Sequence, residues 1–172
     1  EPFAVMLPDM IMVSDPPCLK AMAEAHAETR GNIISVEAVP DEDVSKYGIC
    51  DVGGPSGAGM RRMTGMVEKP AVADAPSNLM ISGRYILQSR IFELLADQGA
   101  GAGGEIQLTD AMVRLMGEQA FHAFEFTGRT YDTGSKLGYL EAFLALSVKH
   151  PELGPDAAAL IKRFAAGHQA GS

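Results

Sequence analysis

Phe3-Ala-Val-Met-Leu-Pro-Asp9 is the stretch on which the fold turns. A run this apolar reads as a buried strand that delivers a carboxylate at its C-terminal end, and open α/β sheets bind ligands along that edge. Val67-Glu68-Lys69-Pro70 closes a second apolar stretch, and Tyr131-Asp132-Thr133-Gly134 follows Phe124-Glu-Phe126. Three strand ends then carry charged groups of the kind that hold a metal, a sugar and a phosphate. Together they point to a site.

Outward from these ends, helix and strand patterns alternate. Asp15-Pro16-Pro17 marks a helix start, with Ser14 or Asp15 as cap, and Leu19, Met22, Ala23 and His26 share one face up to about Arg30. Residues 33–39 are strand-like and stop at Pro40. Residues 47–52 and 62–67 form a hairpin around the Gly-rich stretch Gly53–Gly59, and residues 79–87 form a strand in which Gly83 allows a bulge or a close ligand approach. Helices follow around residues 91–95 and 107–118, then a strand at 121–126, then helices at 137–148 and from an Asp156 cap onward, with a frayed tail at 167–172. No internal repeat or linker interrupts the chain. Residues 1–172 read as a single mixed α/β domain.

Composition limits the function. With 14 Lys plus Arg against 22 Asp plus Glu, the net charge of −8 argues against a nucleic-acid surface, which needs a basic stripe. No apolar run spans a bilayer and no basic n-region opens the chain, so no membrane partner is expected and cytoplasm is the default. Cys18 and Cys50 match no metal or redox spacing and read as two buried thiols. The sequence opens Glu1-Pro2-Phe3, without Met, on a strand that looks central. An N-terminal part is therefore expected to be missing.

Taken singly, the motifs are ambiguous. Gly99 to Gly104 follows a helix and lacks a Gly-Lys-Ser/Thr ending, so it reads as a connector rather than a phosphate loop. Glu105, Thr109 and Asp110 surround a helix start and read first as capping. Asp9 and Asp132, if they share a cleft, suit Mg²⁺, which takes one or two carboxylates and leaves positions for phosphate and water. A turn at Pro8-Asp9 and another at Asp132-Thr-Gly explain each one equally well. Glu68-Lys69 also reads as an exposed ion pair, Gly48 as a strand glycine, and the four histidines as packing or surface residues.

Order and spacing decide between these readings. Phe-Ala-Val-Met-Leu-Pro-Asp9, Lys46-Tyr-Gly-Ile49, Val67-Glu-Lys-Pro70, Ala75-Pro-Ser-Asn-Leu79, Gly83-Arg-Tyr85, Gly104-Glu-Ile-Gln-Leu-Thr-Asp-Ala111 and Asp132-Thr-Gly-Ser-Lys-Leu-Gly-Tyr139 occur in that order. The succession resembles the bacterial UTP–glucose-1-phosphate uridylyltransferases, also called UDP-glucose pyrophosphorylases, from Phe3 to about Arg163. The resemblance implies a mixed, mostly parallel nucleotidyltransferase-type (Rossmann-like) sheet flanked by helices and truncated at its N-terminus. The family's Gly-x-Gly-Thr-Arg loop with its following lysine does not occur here, and no Gln-Gly pair stands ahead of the Asp9 strand, where the family reads uracil; Gln98-Gly99 follows the helix around residues 91–95.

The resemblance also assigns roles. Asp9 and Asp132 become the Mg²⁺ carboxylates, Gly48 lets backbone approach the sugar, Glu68 accepts from glucose hydroxyls, and Lys69 meets the phosphates. Asn78, Gly83 and Lys136 belong to the neighbourhood of the sugar phosphate. The implied reaction converts UTP and glucose 1-phosphate to UDP-glucose and pyrophosphate by in-line attack, in a homo-oligomer, with the fragment alone inactive. Alternatives are another base or sugar, or a non-catalytic sugar-phosphate-binding or oligomerisation module. A glycoside hydrolase with paired acids is a poor third, given Lys69 beside Glu68 and the absence of Trp.

Overall fold

The computed structural model describes residues 1–99 and 106–169. Most of the Gly99–Gly104 connector, Glu105 and the last tail residues, 170–172, lie outside them. The chain forms two compact units, a sheet unit of Glu1–Leu7 with Val13–Arg129 and a ribbon unit of Pro8–Met12 with Thr130–Ser172.

The sheet unit holds β1 (Phe3–Met6), β3 (Asn32–Ala38), β4 (Gly48–Pro55), β5 (Arg61–Glu68), β6 (Leu79–Leu87) and β7 (Phe121–Glu125). Their order is β1-β6-β3-β7-β5-β4, and β4 also meets β6 through Ile49 and Met80. The sheet is mixed, but the expected mostly parallel pairing is corrected. β3 with β7 is the parallel pair, and the other pairings described in this sheet are antiparallel. Connection length is the physical reason for one of these pairs: the link from β4 to β5 is too short for the crossover of a dozen or more residues that parallel neighbours need. The other antiparallel pairs join strands that are not consecutive in the chain.

The run ending at Asp9 is also corrected. It is not one buried strand, because β1 stops at Met6 and lies at the edge of the sheet, with alternate residues half-buried. Leu7 still donates its N–H to the Gly83 carbonyl at 3.0 Å. Pro8, with no N–H, ends the ladder there.

Among the described residues, three α-helices belong to this unit: α1 (Cys18–Thr29), α2 (Arg90–Ala96) and α3 (Leu108–Met116). Rich in Ala, Met, Leu and Glu, α1 is a good intrinsic helix former. It starts after Pro17 without a side-chain cap, so the expected Ser14 or Asp15 cap is not made. The chain bends at Asp15 and Pro16, and extended Pro17 then precedes the first turn, which leaves both side chains too far ahead of it. Arg30 ends the helix in the left-handed region, with its N–H on the His26 carbonyl at 2.8 Å. Beneath α2 and α3, Ile34, Val36, Leu87, Ile91, Leu94, Met112, Leu115 and Phe121 form the core. Cys50 is in the same core, and burial pushes its thiol up to about 12; Cys18, also buried and free, is pushed up to about 11. Neither is a thiolate at neutral pH, which removes both as nucleophiles.

The ribbon unit is small. β2 (Met10–Val13) and β8 (Arg129–Asp132) form a two-stranded sheet, followed by α4 (Lys136–Ser147) and α5 (Gly154–Gln169). Neither β2 nor β8 is expected as a separate strand from the sequence. Asp156 sits in the first turn of α5 rather than at its cap, because the helix already starts at Gly154 with Pro155 next.

One buried histidine links this fold to pH. His122 on β7 is 7% exposed, its Nδ1 lies 2.9 Å from Ser56 Oγ, and Gly31 leaves the space its ring fills. Burial, and secondarily the Arg62 guanidinium, lower its pKa below the ordinary 6.5. The unfolded chain therefore binds the proton first as pH falls, so His122 contributes stability above about 6.5 that is lost on acidification. Urea titrations from pH 7.5 to 5 are expected to show a steeper loss for the parent protein than for His122→Gln. Equal slopes would contradict this reading.

Candidate functional site

Two groups of expected site residues emerge, one in each unit. In the ribbon unit, Asp9 occupies the turn just before β2, and Asp132 is the last residue of β8. The next residue, Thr133, donates its N–H and its Oγ1 to the Asp9 carbonyl, both at 2.8 Å. Gly134 donates its N–H to Asp132 Oδ1 at 2.9 Å. A β-carbon at Gly134 would lie 3.0 Å from Asp132 Oδ1 and 3.2 Å from Asp9 Oδ2. Residues 123 positions apart in sequence thus place carboxylate oxygens around one point, and the turn between them has room because its third residue is glycine.

This donor set fits a hard divalent cation. Two carboxylates of a partly exposed turn leave the remaining positions to water and phosphate oxygens, which is how Mg²⁺ is bound. Among the described residues no group of three or more His, Cys, Asp or Glu is placed to cage a metal alone.

In the sheet unit, Gly48 opens β4 directly opposite Glu68, the last residue of β5. A β-carbon at Gly48 would lie 3.1 Å from Glu68 Oε2 and 3.3 Å from Ile81 Cδ1, so the Glu68 side chain lies over bare backbone. Lys69 follows, its N–H on the Tyr47 carbonyl at 3.0 Å and its Nζ 3.9 Å from Glu68 Oε1. Both side chains are more than half exposed. Lys69 has φ +46, a left-handed conformation that costs a lysine about 1 kcal/mol, and buried Pro70 fixes the chain beyond it.

The remaining expected residues are dispersed. Asn78, just before β6, donates its side-chain amide to the Val39 carbonyl at 3.2 Å and so ties β6 to the end of β3. Gly83, at φ +80, sits opposite a register shift between Ile34 and Val36, the bulge its presence in a strand suggests. Lys136 is the first residue of α4, where Ser135 Oγ accepts the Gly138 N–H. A cation at a helix N-terminus opposes the helix dipole, so this lysine is not there for helix stability. The histidines make local contacts: besides His122, His26 Nε2 meets Gln88 Nε2 at 3.3 Å, and His150 Nδ1 accepts the N–H groups of Glu152 and Leu153.

The sequence profile described as Nucleotidyl transferase matches residues 1–148. The chain belongs to the Nucleotidyl transferase family. Within the family it is 42% identical over 164 residues to a UTP–glucose-1-phosphate uridylyltransferase of Staphylococcus epidermidis, covering 95% of this chain and 57% of that protein. A UDP-glucose pyrophosphorylase structure from Acinetobacter baumannii superposes with a TM-score of 0.84 at 41% identity, over 95% of this chain and 57% of that one. A UDP-glucose pyrophosphorylase structure complexed with UDP-glucose gives 0.81 at 41% identity, over 87% and 57%. The chain thus spans little more than half the length of these relatives. The match supports a nucleotidyltransferase-type α/β fold.

In this nucleotidyl transferase chain, sequence reasoning missed the β2–β8 ribbon and the strained backbone at Lys69. Met10-Ile-Met-Val13 is apolar enough to have signalled a strand, but it follows so closely on Phe3–Leu7 that both read as one run. Replacing Lys69 by glycine removes the left-handed penalty. Lys69→Gly is expected to match or exceed the parent's stability, by up to about 1 kcal/mol in urea denaturation. A loss greater than about 1 kcal/mol would show that the lysine side chain is needed for the fold.

Proposed function

We propose that this chain is the C-terminal portion of a UTP–glucose-1-phosphate uridylyltransferase and that its two units supply sugar-binding and metal-binding groups of that enzyme. The likeness to such uridylyltransferases along nearly the whole chain carries this reading. The pairing of Asp9 with Asp132 supports it independently, because nothing in the sheet unit's core requires those two carboxylates. The family's Gly-x-Gly-Thr-Arg loop is not among these residues, and no Gln-Gly pair precedes the Asp9 strand, so the 172-residue chain alone is inactive and binds glucose 1-phosphate at most.

In this reading the C1 phosphate of glucose 1-phosphate attacks the α-phosphorus of UTP in line, and pyrophosphate leaves. That oxygen is already ionised at neutral pH, so no strong general base is required; positioning and charge neutralisation carry the catalysis. Glu68 accepts hydrogen bonds from glucose hydroxyls across the bare backbone of Gly48. Lys69 directs its ammonium at phosphate. Asn78 and Gly83 shape the sugar-phosphate neighbourhood, and Lys136 adds a cation to the exposed N–H groups of α4, a pairing suited to an anion. Asp9 and Asp132 hold Mg²⁺, which supplies charge neutralisation on the phosphates when bound. The mostly parallel, Rossmann-like sheet belongs to the whole enzyme rather than to the residues described above.

The enzyme is read as cytoplasmic and homo-oligomeric. No described helix is long and apolar enough to cross a membrane. α4 is apolar on every side with only Ala142 buried, and Leu137 and Phe164 are 76% and 71% exposed. Such a surface suits burial against another chain.

Asp9→Asn in the complete enzyme is expected to lower uridylyl transfer, followed by pyrophosphate release, by about 100-fold or more with an unchanged circular-dichroism spectrum. Near-parental turnover would sink the metal assignment.

A further inference from the structure

Gly138 is the third residue of α4, a place where glycine costs about 1 kcal/mol relative to alanine. The helix around it, Lys-Leu-Gly-Tyr-Leu-Glu-Ala-Phe-Leu, is otherwise made of side-chain-bearing helix formers. A β-carbon at Gly138 would lie 1.9 Å from the Asp132 carbonyl oxygen, 3.0 Å from its carbonyl carbon and 2.8 Å from Ser135 Oγ. The first two are backbone atoms that no rotamer change can move. The N–H of the same glycine donates to Ser135 Oγ at 3.0 Å, which fixes the first turn in that place.

We infer that Gly138 is a positioning residue for the carboxylate pair: by lacking a β-carbon it lets the Asp132 peptide seat against the first turn of α4, and this seat sets the turn that carries Asp132 to Asp9. The line of contacts is short. The Asp132 backbone rests on Gly138, the Asp132 side chain accepts the Gly134 N–H, and Thr133 bonds twice to the Asp9 carbonyl. Gly134 differs in kind, since its neighbours are mobile carboxylate ends that can give by tenths of an ångström. An alanine at 138 must move backbone by more than about 1 Å to restore an ordinary carbon–oxygen contact. A displacement of that size in a catalytic group costs about 100-fold in rate.

The inference rests on the metal reading for what the carboxylates hold, but not for how they are held, so two readouts separate the two. Gly138→Ala and a control, Gly167→Ala in α5, where a β-carbon meets nothing within 4 Å, are compared with the parent chain. Mn²⁺ binding is followed by electron paramagnetic resonance, and the Thr133 amide by hydrogen exchange. Gly138→Ala is expected to weaken Mn²⁺ binding about tenfold or more and to speed Thr133 exchange while amides in the middle of α4 keep their protection. Gly167→Ala is expected to change neither.

A folded Gly138→Ala with parental Thr133 protection overturns the inference, whatever the metal does. A parent chain that binds no Mn²⁺ overturns the metal reading, and Thr133 exchange still decides the positioning role. If Gly138→Ala does not fold, Ser135→Ala removes the bond that seats the glycine. Parental Thr133 protection in that variant overturns the inference, and faster exchange supports it.

Discussion

Two hydrogen bonds from Thr133 to the Asp9 carbonyl, both at 2.8 Å, are the contact on which the rest of the metal-side geometry depends. Through them, a turn at the start of β2 and a turn at the end of β8 become one structure. Neither carboxylate makes a site by itself, and neither strand would persist alone, because a two-stranded ribbon is marginal in water. The ribbon persists because α4 begins immediately after it, capped by Ser135 and seated against the Asp132 peptide. Small residues make this possible. A side chain at Gly134 would meet the two carboxylates, and one at Gly138 would strike the backbone carbonyl of Asp132.

The sheet unit provides a different kind of order. β4 and β5 end together, so that Gly48 and Glu68 face each other, and the chain leaves β5 through a strained lysine into a buried proline. In the middle of β6, the bulge at Gly83 is held by the buried hydroxyls of Ser35 and Ser82. Ser82 Oγ donates to Ser35 Oγ at 2.8 Å, and Ser35 Oγ in turn donates to the Arg84 carbonyl and accepts its N–H. A buried hydroxyl left without these partners would be costly, so the bulge is specified rather than tolerated. Arg84 adds a bond from Nη1 to the Leu7 carbonyl, next to the point where Pro8 ends the edge strand.

Much of this was legible in the sequence where period and punctuation agree. The hairpin of β4 and β5, the long strand β6 with its glycine bulge, α1 and α3 carry apolar spacing bounded by Gly, Pro or Ser, whereas α4 shows as a run of helix-forming apolar residues behind Ser135. From the residues alone, Asp9 and Asp132 read equally well as a shared cation site or as two separate turns, and the resemblance decided for the pair. What was not legible depended on tertiary pairing. The short strands β2 and β8 have four residues each, and they are strands because they pair with each other. The expected parallel sheet failed for a similar reason: strand direction follows connection length and neighbour order, and apolar alternation encodes neither. The value of Gly138 was also hidden, since a glycine within a helix looks like a small defect until the atom it makes room for is known.

Shared coordination of one cation by Asp9 and Asp132 is the central claim. Anomalous scattering from crystals of the protein grown with Mn²⁺ tests this directly. A single strong peak within coordination distance of both carboxylates is the expected result. A metal bound to one of them alone, or at some other place on the chain while this pair stays empty, would contradict it.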